Sequence, residues 1–422
     1  MNSSTLSAHP DKARFGILAI VFVNVVINYM DRSNISVAAT AMSTDLHWDS
    51  IKMGYIFSAF GWAYVIFQLP GGLLADRFSA RAFYAITLFG WSVTTFSQGF
   101  AKAFGLLLGL RMVTGMFESP AYPINNRVIT QWFPPHERAT AIGIYTSGQF
   151  IGLAFLTPIL VIIQNAWGWP GLFITTGVVG VIWSVIWYLL YSDTSKQNNE
   201  PTQTVAKRRK LAWADFKQVL TNQKLWGIYI GQFAVTSTLW FFLTWFPSYL
   251  VKYRHLDFLK TGFLSSLPFL AAFAGVLLSG FLSDYLIKKG AGFSIARKTP
   301  VIIGLLLSTC IIGANYVNNT GLIILFMAIA FFGNGFASIT WVFVSALAPP
   351  NLIGLTGGVF NFIGGLSSII VPLVIGYLAK GGLFTSSILF IGSLGFAGVL
   401  SYVFLVGNID AVKKNVLEVV TE

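Results

Sequence analysis

The sequence predicts an all-α membrane protein with twelve transmembrane helices in two sets of six, and three observations carry that prediction. Hydrophobic residues make up 55% of the 422 and charged residues only 10%, with a mean hydropathy of +0.70, whereas soluble proteins carry about 25% charged residues. Apolar runs of about 20 residues, enough to cross a bilayer, recur along the whole chain. A single long polar stretch, near the middle, divides them into two equal groups.

Taken in order, the runs read at 15–41, 53–74, 82–101, 103–126, 139–163 and 170–191, then at 225–250, 260–283, 299–317, 321–346, 352–377 and 383–407. The organisation is therefore a six-helix bundle over 1–191, a linker over 192–224 and a second six-helix bundle over 225–422. The linker holds Lys207, Arg208, Arg209 and Lys210, followed by an amphipathic piece from Trp213 to Leu220 suited to the membrane surface. Basic residues beside lipid set topology, so the run does not indicate nucleic-acid binding.

Orientation follows from the same residues. With the N-terminus cytoplasmic, 19 of the 27 Lys and Arg fall in inside segments, 6 fall outside and two, Arg32 and Arg111, lie within spans. Both termini are therefore expected in the cytoplasm, and the formal charge of +12 is mostly this bias. The first fourteen residues are polar and no small-residue cleavage site follows the first apolar run, so no removable signal is expected. Cys310 is the sole cysteine and lies in an apolar run, which argues against a disulfide or a thiolate metal site. His9, His47, His136 and His255 all fall in loops or tails, which argues against a histidine proton relay in the membrane. No phosphate loop, nucleophile–base pair or metal-ligand cluster is evident, so neither an enzyme nor a cofactor is expected.

The informative residues are charges inside apolar runs: Asp31 and Arg32 in the first, Arg111 and Glu118 in the fourth. Charge at bilayer depth is costly and marks a route for ions or substrates. Adjacent residues on a helix point about 100° apart, so Asp31 and Arg32 face different surroundings. Arg32 is a permanent cation whose planar fork suits a carboxylate, whereas Asp31 can be neutralised by a proton. Arg111 and Glu118 are two turns apart on one face, about 10 Å along the axis, so each needs partners on other helices. Glu118 precedes Pro120 and Pro123, which free backbone carbonyls and permit a kink. The second half has no Asp, Glu, His, Lys or Arg in the interior of a run and offers Gln232, Trp240, Trp245, Asn334, Ser338, Thr340, Trp341 and Asn361, groups that read hydroxyls and ring faces. Charge on one half and hydroxyl recognition on the other is the expected division.

An internal repeat supports duplication. Gly72-Leu73-Leu74-Ala75-Asp76-Arg77 after the second run recurs as Gly280-Phe281-Leu282-Ser283-Asp284-Tyr285 after the eighth, each followed by basic residues, Arg81 in one copy and Lys288 and Lys289 in the other. Gly72 would let helices approach closely, and Asp76 would pair with an arginine such as Arg127 to latch a gate. With Gly72, Leu74, Asp76, Arg77 and Arg81 in place and Ser79 where a second glycine is usual, this stretch resembles the loop signature of the major facilitator superfamily. The stretches NYMDRSNISVA, FSAFGWAYVIFQLPGG, GMFESPAYPINNRV, WFPPHERATA and WFFLTWFPSYL are similar to the anion:cation symporter family within it, nearest to bacterial carriers of galactonate, glucarate and hexuronates. The resemblance covers nearly the whole chain apart from the linker and termini.

That resemblance implies the major facilitator fold and proton-driven import of a sugar acid anion by alternating access, with a hexuronate such as glucuronate or galacturonate favoured and galactonate and glucarate close behind. It implies that Tyr29, Arg32, Tyr64, Gln149, Gln232, Ser338, Thr340, Trp341 and Asn361 line the substrate cavity, that Asp31 and Glu118 carry protons, and that Arg111 supports them. Gly72, Asp76, Arg77, Arg81 and Asp284 would form the gating loops. The expected partners are a sugar acid, protons and lipid, with the protein a monomer in the inner membrane. A phosphate antiporter would need basic residues in both halves, a sodium-coupled carrier remains the rival for the cation, and a membrane sensor would need an output domain.

Overall fold

The computed structural model describes residues 11–193, 213–349 and 351–409, and every regular element among them is helical. In the first half these are α1 (Asp11–Asp45), α2 (Ser50–Arg77), α3 (Ala80–Gln98), α4 (Phe104–Glu118), α5 (Ala121–Trp132) and α6 (Pro135–Leu190). α6 is two spans in one: Gly168 adopts φ 69° and turns the chain back between them. Short turns are fixed by side-chain caps, as where Asp49 accepts the amide of Lys52 and Ser79 that of Ala82.

The second half comprises α7 (Trp213–Thr221), α8 (Gln223–Thr244), the single turn α9 (Phe246–Ser248) widening into a π turn over Tyr249–Tyr253, and α10 (Phe258–Lys288). It continues through α11 (Phe293–Thr309) with a tight tail to Tyr316, α12 (Thr320–Phe336), α13 (Trp341–Leu347), α14 (Ile353–Leu378) and α15 (Thr385–Leu400). Among the described residues nine helices are long and apolar enough to cross a membrane. α6 supplies two spans, α3 is a 19-residue helix and α4 with α5 makes a broken one, so the count reaches the twelve that the sequence predicts. The chain is a polytopic all-α membrane protein, and its outward face is apolar as lipid requires, with Phe155, Leu189, Phe281 and Phe404 exposed.

α7 begins and ends within a residue of the amphipathic piece read from sequence. It buries Val219 and Asp215 against the second half, where Val219 joins a core with Leu225, Phe343 and Val406. The basic run Lys207–Lys210 lies outside the described residues.

The two halves meet at one end only. Thr40 Oγ1 donates to Ser248 Oγ at 3.5 Å, Ser50 Oγ to Gly376 O at 2.8 Å, and the hydroxyls of Tyr55 and Tyr377 lie 2.9 Å apart. Phe57 packs edge-on to Trp245, Phe60 against Trp240 and Phe150 against Phe331. All these residues lie in the middle or at the end away from the chain termini. Between described residues no hydrogen bond, ion pair or ring contact joins the halves at the terminal end. Leu69 and Leu73 of α2 and Ile353 of α14 stand exposed there. The cores agree: one cluster crosses between halves through Trp48, Phe57, Trp245 and Val371, while the second is confined to the latter half at its terminal end. The molecule is thus a cleft sealed at the far end and open at the terminal end.

The gating loops depart from expectation in this geometry. Arg127 does not pair with Asp76; its Nη1 donates to the carbonyls of Ala75 and Phe78 (2.6 Å for the latter), capping the C-terminal end of α2, where the helix dipole favours a cation. Asp76 and Arg77 are exposed and have no ion pair among the described residues. Gly72 makes no close approach, a Cβ there meeting only Pro123 at 3.9 Å, and one on Gly280 would meet nothing within 4 Å. The tight neighbour is Gly71, whose Cβ would lie 3.0 Å from Ser119 Oγ. In the second copy Asp284 does pair, with Arg297 at 3.1 Å. Arg81 donates to Tyr188 O at 2.7 Å and lies over its ring, and Ser79 caps α3 while donating to Asp193, which gives the missing glycine a positive role.

Candidate functional site

Two spans are interrupted within their length, and they occupy corresponding places as the fourth of each half. Between α4 and α5, Pro120 has no amide hydrogen to give, and Ser119 Oγ donates to Met116 O and to Phe67 O of α2 at 3.1 Å. The sequence indicates this kink through its prolines. The second break, between α12 and α13, falls inside what reads as one continuous run, 321–346. There three helices crowd: a Cβ on Gly335 would lie 2.1 Å from Ala272 O and one on Gly333 2.4 Å from Gly304 O. Asn334 Nδ2 donates to Val235 O, and the chain loosens into a tight turn over Ser338–Thr340. Its only sequence signal is the pair Gly333 and Gly335. Paired breaks in matching spans mark binding sites in membrane carriers, because they expose backbone and aim side chains into a cavity.

The charges gather beside the first break. Arg32 Nε donates to Glu118 Oε2 at 2.9 Å, and Asn28 Nδ2, one turn earlier on α1, donates to the same oxygen at 2.9 Å. Arg32 is 6% exposed and Glu118 0%, so the pair is desolvated and each ion depends on the other. The guanidinium of Arg32 is ringed by Tyr29, Phe60 and Tyr64 at 5.0, 5.1 and 4.8 Å, and Arg111 lies over the Phe60 ring at 5.2 Å. Arg32 Nη2, Glu118 Oε1 and Arg111 Nε are buried with no hydrogen-bond partner. Asp31 faces the other way, as its 100° offset requires: it accepts from Trp91 Nε1 of α3 at 3.1 Å and is 1% exposed. Asn28, Phe60 and Trp91 are absent from the sequence reading; only Asn28, four residues from Arg32 on the same helical face, could have been inferred.

The polar groups expected to read hydroxyls lie on the second half, apart from Gln149 on α6. Thr340 Oγ1 donates to Gln232 Oε1 at 2.8 Å, tying the second break to α8. Gln232 packs on Gly364, and the next residue, Gly365, is so close to Val65 of α2 that a Cβ would lie 2.9 Å from it. Val65 follows Tyr64, so the two sets are joined through their chain neighbours on α2 and α14. Trp341 is half exposed and edge-on to Phe360 at 4.9 Å; Ser338, Gln149 and Asn361 are partly exposed and free of hydrogen bonds. Trp240 and Trp245 belong to the seal instead, the indole of Trp245 donating to Pro372 O at 3.2 Å, and Asn334 is consumed by its backbone bond. Gly364 and Gly365 of α14 are closely packed, whereas Gly354 and Gly358 on the same helix have open space around them. Nearer the terminal end, α2 and α5 line a groove of about 660 Å³ with Gln68, Gly72, Asp76, Asn126 and Arg127.

The Major Facilitator Superfamily profile matches residues 21–372. The chain is 51% identical to the D-galactonate transporter of Escherichia coli O6:H1, covering 96% of this chain and 98% of that one. It is 40% identical to the probable galactarate/D-glucarate transporter GarP of Escherichia coli K12, over 94% and 95% of the two chains. With the hexuronate transporter of Bacillus subtilis it shares 32% over 93% and 94%. In shape it resembles an inward-facing, occupied bacterial homologue of the lysosomal transporter Spinster (TM-score 0.73, 18% identity, 97% and 98% covered) and the inward-open xylose transporter XylE of Escherichia coli (0.72, 15%, 96% and 99%). With the profile matching residues 21–372 and relatives at 51%, 40% and 32% identity aligned over nearly the whole chain, the chain belongs to the major facilitator superfamily, is a transporter rather than an enzyme, and groups with bacterial sugar-acid transporters.

Proposed function

We propose that the protein is a proton-coupled symporter that imports a six-carbon sugar acid across the inner membrane, with galactonate the first substrate to test. The observation that carries this reading is the Arg32–Glu118 pair at the broken fourth span. A substrate carboxylate and the Glu118 carboxylate compete for one guanidinium. Protonating Glu118 removes its claim and frees the Arg32 fork, whose Nη2 already lacks a partner, for a bidentate contact with the substrate. Losing the proton lets Glu118 recapture Arg32 and expel the anion. Binding and protonation are thereby linked without direct contact between proton and substrate.

Across the cleft, Gln232, Thr340, Trp341 and Asn361 supply donors, acceptors and a ring face for the polyol chain. With both termini cytoplasmic, as the basic-residue bias indicates, the open end faces the cytoplasm and alternating access consists of closing it while parting the far seal. An anion moving inward opposes an inside-negative potential by about 2.3 kcal/mol per 100 mV; one proton cancels that and a second makes uptake electrogenic. Galactonate takes precedence over the hexuronate favoured by sequence because the relative bearing its name is 51% identical, against 32% for the hexuronate carrier.

The test is purified protein in vesicles. An acid-outside gradient without sodium should drive uphill uptake of labelled galactonate, with glucarate and glucuronate as competitors. Uptake that requires sodium and ignores pH overturns the proton reading; uptake driven by pH but displaced only by glucuronate corrects the substrate alone.

A further inference from the structure

Asp31 is sealed from the cleft, yet it lies at the foot of a polar column that runs through the interior of the first half to the far end. In its own layer Ser92 Oγ is fully buried and unpartnered, as is Asp31 Oδ1. Gly180 of α6 lets the helix backbone pack directly on this layer, since a Cβ there would lie 2.2 Å from Ser92 Oγ and 3.8 Å from Asp31 Oδ2. One turn outward along α1, Asn34 Nδ2 donates to Thr176 Oγ1 at 3.2 Å and its Oδ1 has no partner. Two turns outward along α3 from Trp91, about 10 Å, Gln98 Nε2 donates to Thr114 Oγ1 at 3.1 Å while its Oε1 is unpartnered, and Arg111 Nε, one turn from Thr114, is unpartnered too. The buried face of α3, which should be apolar, carries Ser92, Thr95 and Gln98 in register. Buried polar atoms left without protein partners are characteristically bridged by water.

We propose that this column is a hydrated proton route, separate from the substrate cleft, joining Asp31 to the far face through Ser92, Asn34 and Gln98. It rests on the proton-symport reading and deepens it. A proton arrives by protonated water and leaves it neutral; Asp31 passes from carboxylate to carboxylic acid, and no other reactant is needed. The charged and titratable groups around Asp31 are Arg32 beside it on α1, Tyr84 on α3, and Arg111 and Glu118 from α4, while α6 brings the bare backbone of Gly180 and the hydroxyl of Thr176. Two carboxylates then have distinct access, Asp31 from the far face and Glu118 from the cleft. Coupling requires that transfer between them be gated.

The test uses Gln98→Leu and Gln98→Asn in the full-length protein in vesicles, with pH-driven uptake and substrate exchange at equal pH measured together. Exchange needs the loaded carrier to reorient but not to trade protons with bulk water. Gln98→Leu should lower the initial rate of pH-driven uptake at least tenfold and demand a more acidic exterior, with exchange within twofold of the parent and substrate KM unchanged; Gln98→Asn, polar but shorter, should retain most of the uptake. Parent-like pH-driven uptake in Gln98→Leu overturns the route, as does an equal loss of exchange and uptake in both variants, which assigns Gln98 to packing. If the parent itself ignores the pH gradient, the symport reading falls, and that outcome is seen before any variant is made.

Discussion

Arg32 and Glu118 form one unit, and their variants should fail in different ways. Arg32→Lys keeps the charge but loses the fork and the fit among Tyr29, Phe60 and Tyr64. Losing one charge-assisted bond costs about 1–3 kcal/mol, so substrate affinity, read by binding calorimetry, should fall by roughly ten- to hundredfold; near-parental affinity would assign Arg32 to structure. Glu118→Gln retains the shape and can still accept from Asn28 and Arg32, but it cannot titrate. It should bind and exchange substrate yet lose pH-driven accumulation, and accumulation at the parental rate would remove Glu118 from coupling. The four charges were legible in the sequence because charge stands out against an apolar run. Their partners were not: Phe60 and Trp91 are ordinary aromatics in apolar helices until the fold sets guanidinium or carboxylate against them. The opposed facing of Asp31 and Arg32 did follow from helical geometry alone.

At the scale of elements, spans and caps follow from hydropathy and short polar turns, and the kink after Glu118 from its prolines. The break after Phe336 did not, because its cause is a three-helix crossing and a run of apolar residues with two glycines gives no hint of what they will meet. That origin makes the break testable. Gly335→Ala places a Cβ 2.1 Å from the carbonyl oxygen of Ala272, and overpacking of this kind costs about 1–3 kcal/mol. The melting temperature in detergent should drop, and transport should drop further because Ser338, Thr340 and Trp341 are displaced. Gly354→Ala on α14, with nothing within 4 Å of the new methyl, is the control and should be neutral or stabilising by up to about 1 kcal/mol. Equal behaviour of the two would show that the crossing is looser than its geometry indicates.

For the molecule as a whole, the sequence specified twelve spans and a twofold plan but could not say which end is closed, since the same residues must support both arrangements and the difference lies in contacts between halves. The closed end is built from small residues that let backbones meet: a Cβ on Gly54 would lie 2.8 Å from Pro372 O and 3.3 Å from Gly376 Cα. Gly54→Leu cannot be accommodated there, whereas nothing in the parted arrangement requires the space, so the variant should shift the population toward opening at the far end. A bias of about 1.4 kcal/mol moves that equilibrium tenfold. Met53 lines the sealed seam and is 2% exposed. With Cys310 replaced by serine, a cysteine at Met53 reports opening by its reaction with a membrane-impermeant thiol reagent added outside the vesicles. Labelling should be slow in the Gly54 background, faster by tenfold or more with Gly54→Leu, and net uptake should collapse because the carrier no longer returns to the arrangement sealed at the far end. The converse is a cross-link: Tyr55 and Tyr377, whose hydroxyls are 2.9 Å apart and exposed, can be replaced by cysteines and joined with a short bifunctional reagent. That should stop uptake while leaving the groove lined by Gln68 and Asn126 reachable from the terminal side. If Gly54→Leu neither speeds labelling nor impairs uptake, or if the cross-linked protein still transports, the seam between α2 and α14 is not the moving gate.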